Sequence, residues 1–313
     1  MSLSVFKSAL SVRLKSVLLA TDFSAASEKP LGHALAIARH YGAKFYLAHV
    51  VSSLGFTIAG PQSVQLASEA VTRDLQQLEH DLVKNGSLAS LEHEFIVRQG
   101  IIWDELQQII LQSQIDLVVL GTHGRHGFGK LLLGSVAEQI FRHADCLVLT
   151  VGPLSYEDVR VEGNRADRSF LFATDFGEAS LRALPYAVSF ANHFGAKLIV
   201  LHVVPAAPIP ESSGRYSARD VILLMRDNAR MASLRRLEQM FTCHEQPALE
   251  PQFLVEFGLP SEKILQVALK VKADIVVMGL NRSLHIGTAS HLPWATAYEV
   301  VCGAACPVLT VRM

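Results

Sequence analysis

Displaced against itself by 153 positions, the sequence places Leu18 to Val51 (LLATDFSAASEKPLGHALAIARHYGAKFYLAHVV) over Leu171 to Val204 (LFATDFGEASLRALPYAVSFANHFGAKLIVLHVV), and 17 of the 34 pairs are identical. Identity of that density records a duplication, and a period of about 150 residues belongs to tandem domains rather than to a solenoid. Both halves must therefore adopt one fold. The length of 313 residues agrees, at roughly 100 to 200 residues per domain.

Within each half, short apolar runs alternate with longer amphipathic stretches, the pattern of βα units on a parallel sheet. In the first half the runs Ser16 to Ala20, Phe45 to Val50, His93 to Val97, Leu117 to Leu120 and Leu147 to Val151 predict five strands. Between them, Ser27 to His40, Val64 to Val83, Ile102 to Ser113 and Ser135 to His143 carry apolar residues at helical spacing. The second half repeats the strands near Phe170 to Ala173, Leu198 to Val203, Gln252 to Glu256, Ile275 to Met278 and Val308 to Val311. Near-continuous apolar strands such as LVVL and IVVM require burial on both faces, so helices must cover both sides of each sheet. The fold class expected is α/β, with two tandem doubly wound domains. Residues 1–12 read as a tail able to form a helical turn, 13–152 as the first domain, the polar Gly- and Pro-containing stretch 153–167 as a linker, and 168–313 as the second domain.

Composition narrows the function classes. With 28 Lys and Arg against 29 Asp and Glu, no global field draws in nucleic acid or an anionic membrane, and any anion must be held locally. Mean hydropathy is positive at +0.28, yet no apolar run reaches the roughly 18 residues a spanning helix needs. Neither a membrane nor a nucleic-acid partner is expected. Cys146, Cys243, Cys302 and Cys306 have neither C-x-x-C spacing nor disulfide-scaffold density, so they read as reduced thiols of a cytoplasmic protein. Cys302 and Cys306 stand one helical turn apart, but their apolar neighbours favour buried small residues over a redox pair.

The sharpest local signal is GTHGRHGFGKLLLGS, Gly121 to Ser135, directly after a strand and before an amphipathic helix. Gly121 and Gly124 allow a tight turn and close backbone approach to a ligand. Gly134 and Ser135 open the next helix, whose free N–H groups favour an anion. Ser135 could contribute its hydroxyl to a phosphate or to the helix as an N-cap. Arg125 and Lys130 could neutralise a polyphosphate or stay solvated, and His123 with His126 make a poor metal signature. The loop is neither G-x-x-x-x-G-K-[ST] nor G-x-G-x-x-G. Open α/β sheets bind ligands beyond the carboxyl ends of strands where the order reverses. If strands one and four are neighbours, Asp22 and Val50 face one end of a ligand and the glycine backbone the other. Asp22, with Thr21 and Ser24, also reads as a turn and helix-cap cluster, and the two roles can coexist.

At these residues the sequence resembles the universal stress protein family in its tandem form. The resemblance rests on T-D-F-S after strand one, H-V after strand two, and G-x-x-G followed by nine residues and then G-S. It implies a five-stranded parallel sheet in the order 3-2-1-4-5 and a site for ATP or a related adenine nucleotide (ADP, AMP), with or without Mg. Carried over by motif position, Ala20, Thr21, Asp22 and Val50 line the adenine side and Leu120 and Gly121 the ribose. Thr122, His123, Gly124, Gly134, Ser135 and Val136 surround the phosphates. It also implies antiparallel pairing of the final strands, which would join the halves as an internal pseudo-dimer, with a further homodimer left open. The second half departs from the motif, with Arg282 where Gly124 stands, and Trp294 and Ala295 opposite Gly134 and Ser135. Asp175 and Val203 survive. The expected function is nucleotide-binding regulation in stress through the first domain, without catalytic residues. The alternatives are a slow ATPase or adenylyl-transfer enzyme, and a scaffold that binds no nucleotide.

Overall fold

The computed structural model describes residues 12–24, 27–52, 61–122, 133–153, 155, 168–205, 218–242, 250–281 and 293–312. Among them the chain forms β1 (Ser16–Ala20), α1 (Glu28–Tyr41), β2 (Lys44–Ser52), α2 (Pro61–Lys84), β3 (His93–Gly100), α3 (Ile102–Gln112), β4 (Leu117–Gly121), α4 (Ser135–His143) and β5 (Leu147–Val151). The second half gives β6 (Ser169–Thr174), α5 (Glu178–Phe194), β7 (Lys197–Val204), α6 (Ala218–Thr242), β8 (Gln252–Phe257), α7 (Pro260–Lys270), β9 (Ile275–Leu280), α8 (Pro293–Gly303) and β10 (Val308–Arg312).

Two compact units result, one of residues 13–161 with 301–313, the other of residues 1–12 with 162–300. In the first, the strands run β3-β2-β1-β4-β5, all parallel, so the expected order 3-2-1-4-5 is present. In the second, β8-β7-β6-β9 repeat it through four strands, again parallel. The last strand of the second repeat belongs to the first unit, where β10 pairs antiparallel with β5 in the register Val308↔Thr150, Leu309↔Leu149 and Thr310↔Val148. Thr150 and Thr310 reinforce that pair reciprocally, each hydroxyl donating to the carbonyl of Val308 or Val148 at 3.2 Å.

Local rules explain the boundaries. Helices α1 and α5 both stop at G-A-K, where Gly42 and Gly195 take φ 63° and the N–H of Ala43 and Ala196 reach back to Ala38 and Ala191. These are Schellman ends, which need a left-handed residue and so a glycine. At the same amino edge of the sheet, Asp116 accepts from the Ser16 N–H at 3.1 Å, and Asp274 accepts from the Ser169 N–H at 2.8 Å. Each carboxylate fastens the start of the first strand of its repeat beside the fourth. β1 thus lies between β2 and β4, with the β1 and β4 connections leaving in opposite directions, which is the switch point of a doubly wound sheet. Large side chains such as Phe45, Phe141, Phe170 and Phe172 fill the interiors. No helix among the described residues is long and apolar enough to cross a membrane.

Candidate functional site

The crevice lies at the carboxyl ends of β1 and β4. Past β1 the chain turns through Thr21-Asp22-Phe23-Ser24. The Thr21 hydroxyl accepts from the Phe23 N–H at 3.0 Å, and Asp22 Oδ1 accepts from the Ser24 N–H at 2.9 Å and the Ser27 hydroxyl at 3.0 Å. These side-chain-to-backbone bonds replace the missing ladder and admit Phe23 to the left-handed region at φ 57°. Asp22 therefore organises the turn, as the turn reading has it, but it does not cap the helix: the N-cap of α1 is Ser27, which makes no side-chain cap bond.

From the neighbouring strand, His49 Nδ1 lies 2.8 Å from the Thr21 carbonyl oxygen. A carbonyl only accepts, so Nδ1 carries the proton and donates. The Phe23 ring packs 5.1 Å from the imidazole, centroid to centroid. His49 and Phe23 are the residues that sequence reasoning missed as site components. The signal was present in the repeat, because both are duplicated at His202 and Phe176. There Nδ1 meets the Thr174 carbonyl at 2.9 Å, Phe176 has φ 62°, and the rings lie 4.3 Å apart.

On the other wall, Thr122 is buried, its N–H donating to the Val151 carbonyl at 3.1 Å and its carbonyl accepting from the Gly134 N–H at 2.8 Å. This backbone pair draws the start of α4 back over the end of β4. Gly134 is the N-cap of α4 and makes no side-chain cap bond, so the hydroxyl of Ser135 is not the cap. Ser135 is the first helical residue and is exposed. The first-turn N–H groups of α4 have no intrahelical acceptors by construction. Because its backbone groups are already committed, Thr122 acts on the crevice by placing Gly134. Beside it, Lys29 donates to the carbonyls of Pro153 and Ser155 at 3.0 and 2.8 Å, fastening the chain that leaves β5 to the first turn of α1.

The structure thus brings Ala20, Thr21 and Asp22 to one wall, with half-buried side chains, beside the buried Val50. Leu120, Gly121 and Thr122 stand at the end of β4, and Gly134, Ser135 and Val136 at the start of α4. His123, Gly124, Arg125, His126 and Lys130 lie outside the described residues, as does Arg282 in the second half. Among the described residues, no group of three His, Cys, Asp or Glu side chains could hold a metal ion. Cys302 and Cys306 are both buried thiols.

The corresponding place in the second unit is built differently. The turn survives, with Asp175 accepting from the Gly177 N–H and the Ser180 hydroxyl, both at 2.8 Å. Gly279, which aligns with Gly121, meets the first turn of α5 so closely that a Cβ would collide with the Ala179 carbonyl group. The Arg236 guanidinium, from α6, lies 4.3 Å over the Phe176 ring. Burial holds His202 below the usual imidazole range, and the Arg236 charge adds to this against the opposing pull of the Thr174 carbonyl and Asp175.

Comparison with known proteins agrees with this architecture. The model of the universal stress protein family matches residues 13–152 and again 168–312. A universal stress protein of Methanocaldococcus jannaschii is 30% identical over 138 residues, spanning 44% of this chain and 81% of that protein. The crystal structure of a universal stress protein from Archaeoglobus fulgidus DSM 4304 superposes with a TM-score of 0.67 at 20% identity, covering 96% of this chain and 99% of that one. A universal stress protein structure from Pseudomonas aeruginosa UCBPP-PA14 covers 96% of this chain and 93% of its own, with a TM-score of 0.58 at 16% identity. At those identities the two structures speak for the fold alone.

Proposed function

The chain belongs to the universal stress protein family, and on that premise we propose that it is a cytoplasmic regulatory protein that binds an adenine nucleotide in the crevice of its first domain. The observation that carries this reading is the 2.8 Å bond from the Gly134 N–H to the Thr122 carbonyl. It sets the uncapped first turn of α4 at the mouth of the β1/β4 switch point, where the helix's free N–H groups and positive end favour phosphate. Ala20, Thr21, Asp22 and Val50 form the side for adenine, with Leu120 and Gly121 beside the ribose. His123, Gly124, Gly134, Ser135 and Val136 take the phosphates, and Thr122 sets the position of the helix that helps hold them.

The residues described here fit such a ligand. One wall is a hydrogen-bonded turn beside an apolar strand, suited to a flat heterocycle, and the other offers backbone donors without a competing side-chain cap. ATP, ADP and AMP share these requirements, and magnesium would enter with the phosphates. No residue is assigned a catalytic role.

Calorimetric titration of the full chain with ATP, with and without magnesium, tests the proposal beside a Gly124→Arg variant that copies the second half. One nucleotide bound per chain, lost in the variant, is the expected outcome. No heat and no thermal shift with ATP, ADP or AMP would overturn it, and would favour a scaffold role.

A further inference from the structure

Helix α6 packs against β7 and β8 and carries a row of arginines that the nucleotide reading does not use. Arg226 and Arg230, one turn apart, place their guanidinium carbons 4.9 and 5.4 Å from the centroid of the Phe257 ring, at the end of β8. Arg236 lies 4.3 Å over Phe176, just beyond β6. All three residues are exposed, and among the described residues none is within ion-pair distance of a carboxylate. From Arg226 to Arg236 the helix holds four arginines against one acidic residue, Asp227.

A guanidinium lying over a ring face keeps its in-plane N–H donors available, already oriented and partly desolvated. Among the described residues, the first repeat has no such arrangement. Its register places Gln99 where Phe257 stands, and Arg73 of α2 turns its Nε to the Glu69 carbonyl of its own helix.

We propose that the Arg226–Arg230–Arg236 row over Phe257 and Phe176 is an anion site for a linear oligophosphate, distinct from the nucleotide crevice of the first domain. Arg226 and Arg230 share one ring, so one anionic group can meet both charges. A tetrahedral phosphate offers enough terminal oxygens for two forks, whereas a planar carboxylate, with two oxygens, satisfies one bidentate fork. Arg236, over the second ring, meets another phosphate of the same chain. The charges that the first domain handles with backbone N–H groups are handled here by side chains, which suits a unit whose loop has lost its close-approach glycine.

Titration of the full chain with inorganic tripolyphosphate at low ionic strength tests this. Wild type and Gly124→Arg should bind alike, separating this site from the first-domain loop. Arg230→Gln and Arg236→Gln should each weaken binding by about tenfold, as loss of a charge-assisted fork implies. Arg235→Gln, on the same helix but not over a ring, should change it by less than about twofold. The His202 imidazole resonances, beside the Arg236–Phe176 stack, should shift on saturation in wild type and stay put in Arg236→Gln. Absence of binding to wild type, equal losses with Arg235→Gln, or loss in Gly124→Arg with Arg230→Gln unaffected would each overturn the proposal. Loss of ATP binding alone would bear only on the first domain.

Discussion

Gly279, on β9, lies against Ala179 in the first turn of α5 so closely that a Cβ at position 279 would overlap the Ala179 carbonyl and stand 2.6 Å from the Ser180 nitrogen. Backbone meets backbone there, so no side-chain rotation can relieve the overlap. Gly279→Ala should therefore destabilise the second unit by about 3 kcal/mol, the upper end of over-packing costs. Gly42→Ala, where φ is 63° but nothing lies within 4 Å of the added carbon, should cost only the left-handed strain of about 1 kcal/mol. Urea unfolding followed by circular dichroism distinguishes the two, and equal losses would show that the close approach is relieved cheaply.

Replacing His49 tests whether the turn after β1 must be held for binding. His49→Ala removes the Nδ1 donor to the Thr21 carbonyl, and ATP affinity should fall by up to about tenfold, the value of one hydrogen bond of about 1.4 kcal/mol. His49→Asn places an amide N–H near the Nδ1 position and should recover most of that loss. Calorimetry on the two variants gives the comparison.

His202 makes the second unit sensitive to acid. Its folded-state pKa lies below the unfolded value, chiefly through burial and then through Arg236. As pH falls through about 6.5, the unfolded chain takes up the proton first, so the unfolded state is favoured. The stability contribution is complete above the unfolded pKa, is lost through the interval down to the folded pKa, and levels off below it. Urea midpoints measured across that interval should fall more steeply with acid for wild type than for His202→Asn. Parallel curves would remove His202 as the cause.

Cys146 should be chemically quiet. Burial pushes its thiol up to about 12, with the charges of Asp145 and Asp116 acting in the same direction. The thiolate is the reactive form, so labelling of native protein at mildly alkaline pH should spare Cys146 and modify it only in denaturant. Peptide mapping after a short iodoacetamide pulse reads this directly, and rapid native labelling of the half-buried Cys146 would contradict a raised thiol pKa.

Much of the fold was legible because the repeat and its periodicities are local. Ser16 to Ala20 and Leu147 to Val151 are strands to the residue, and the helix Ser135 to His143 begins and ends where its apolar spacing says. Elsewhere the apolar pattern understates the strands. β2 extends from the expected Phe45–Val50 to Lys44–Ser52, and β3 runs on from Val97 to Gly100, because ladder bonds continue beneath polar side chains that leave no hydropathy signal.

The candidate site was legible in part. The glycine-spaced motif and the T-D-F turn could be read from residue types and Thr122 was placed by the family resemblance, but the bonds that hold Thr122 could not be read. That Thr122 spends its N–H on Val151 and its carbonyl on Gly134 depends on which strand lies beside β4. The same is true of His49, whose role appears only when β2 stands next to β1.

By itself the sequence determined a duplicated α/β fold, its strand and helix periods, and the asymmetry between an intact glycine loop and a degenerate one, since each is encoded by residues close in the chain. The antiparallel pairing of β10 with β5 is the one the family resemblance implies, whereas the tertiary structure alone decided that Gly279 must remain a glycine and that Arg226, Arg230 and Arg236 meet Phe257 and Phe176. Those relationships join residues far apart in sequence, and their physical basis, closeness of backbones and rings in space, exists only once the strands have been ordered.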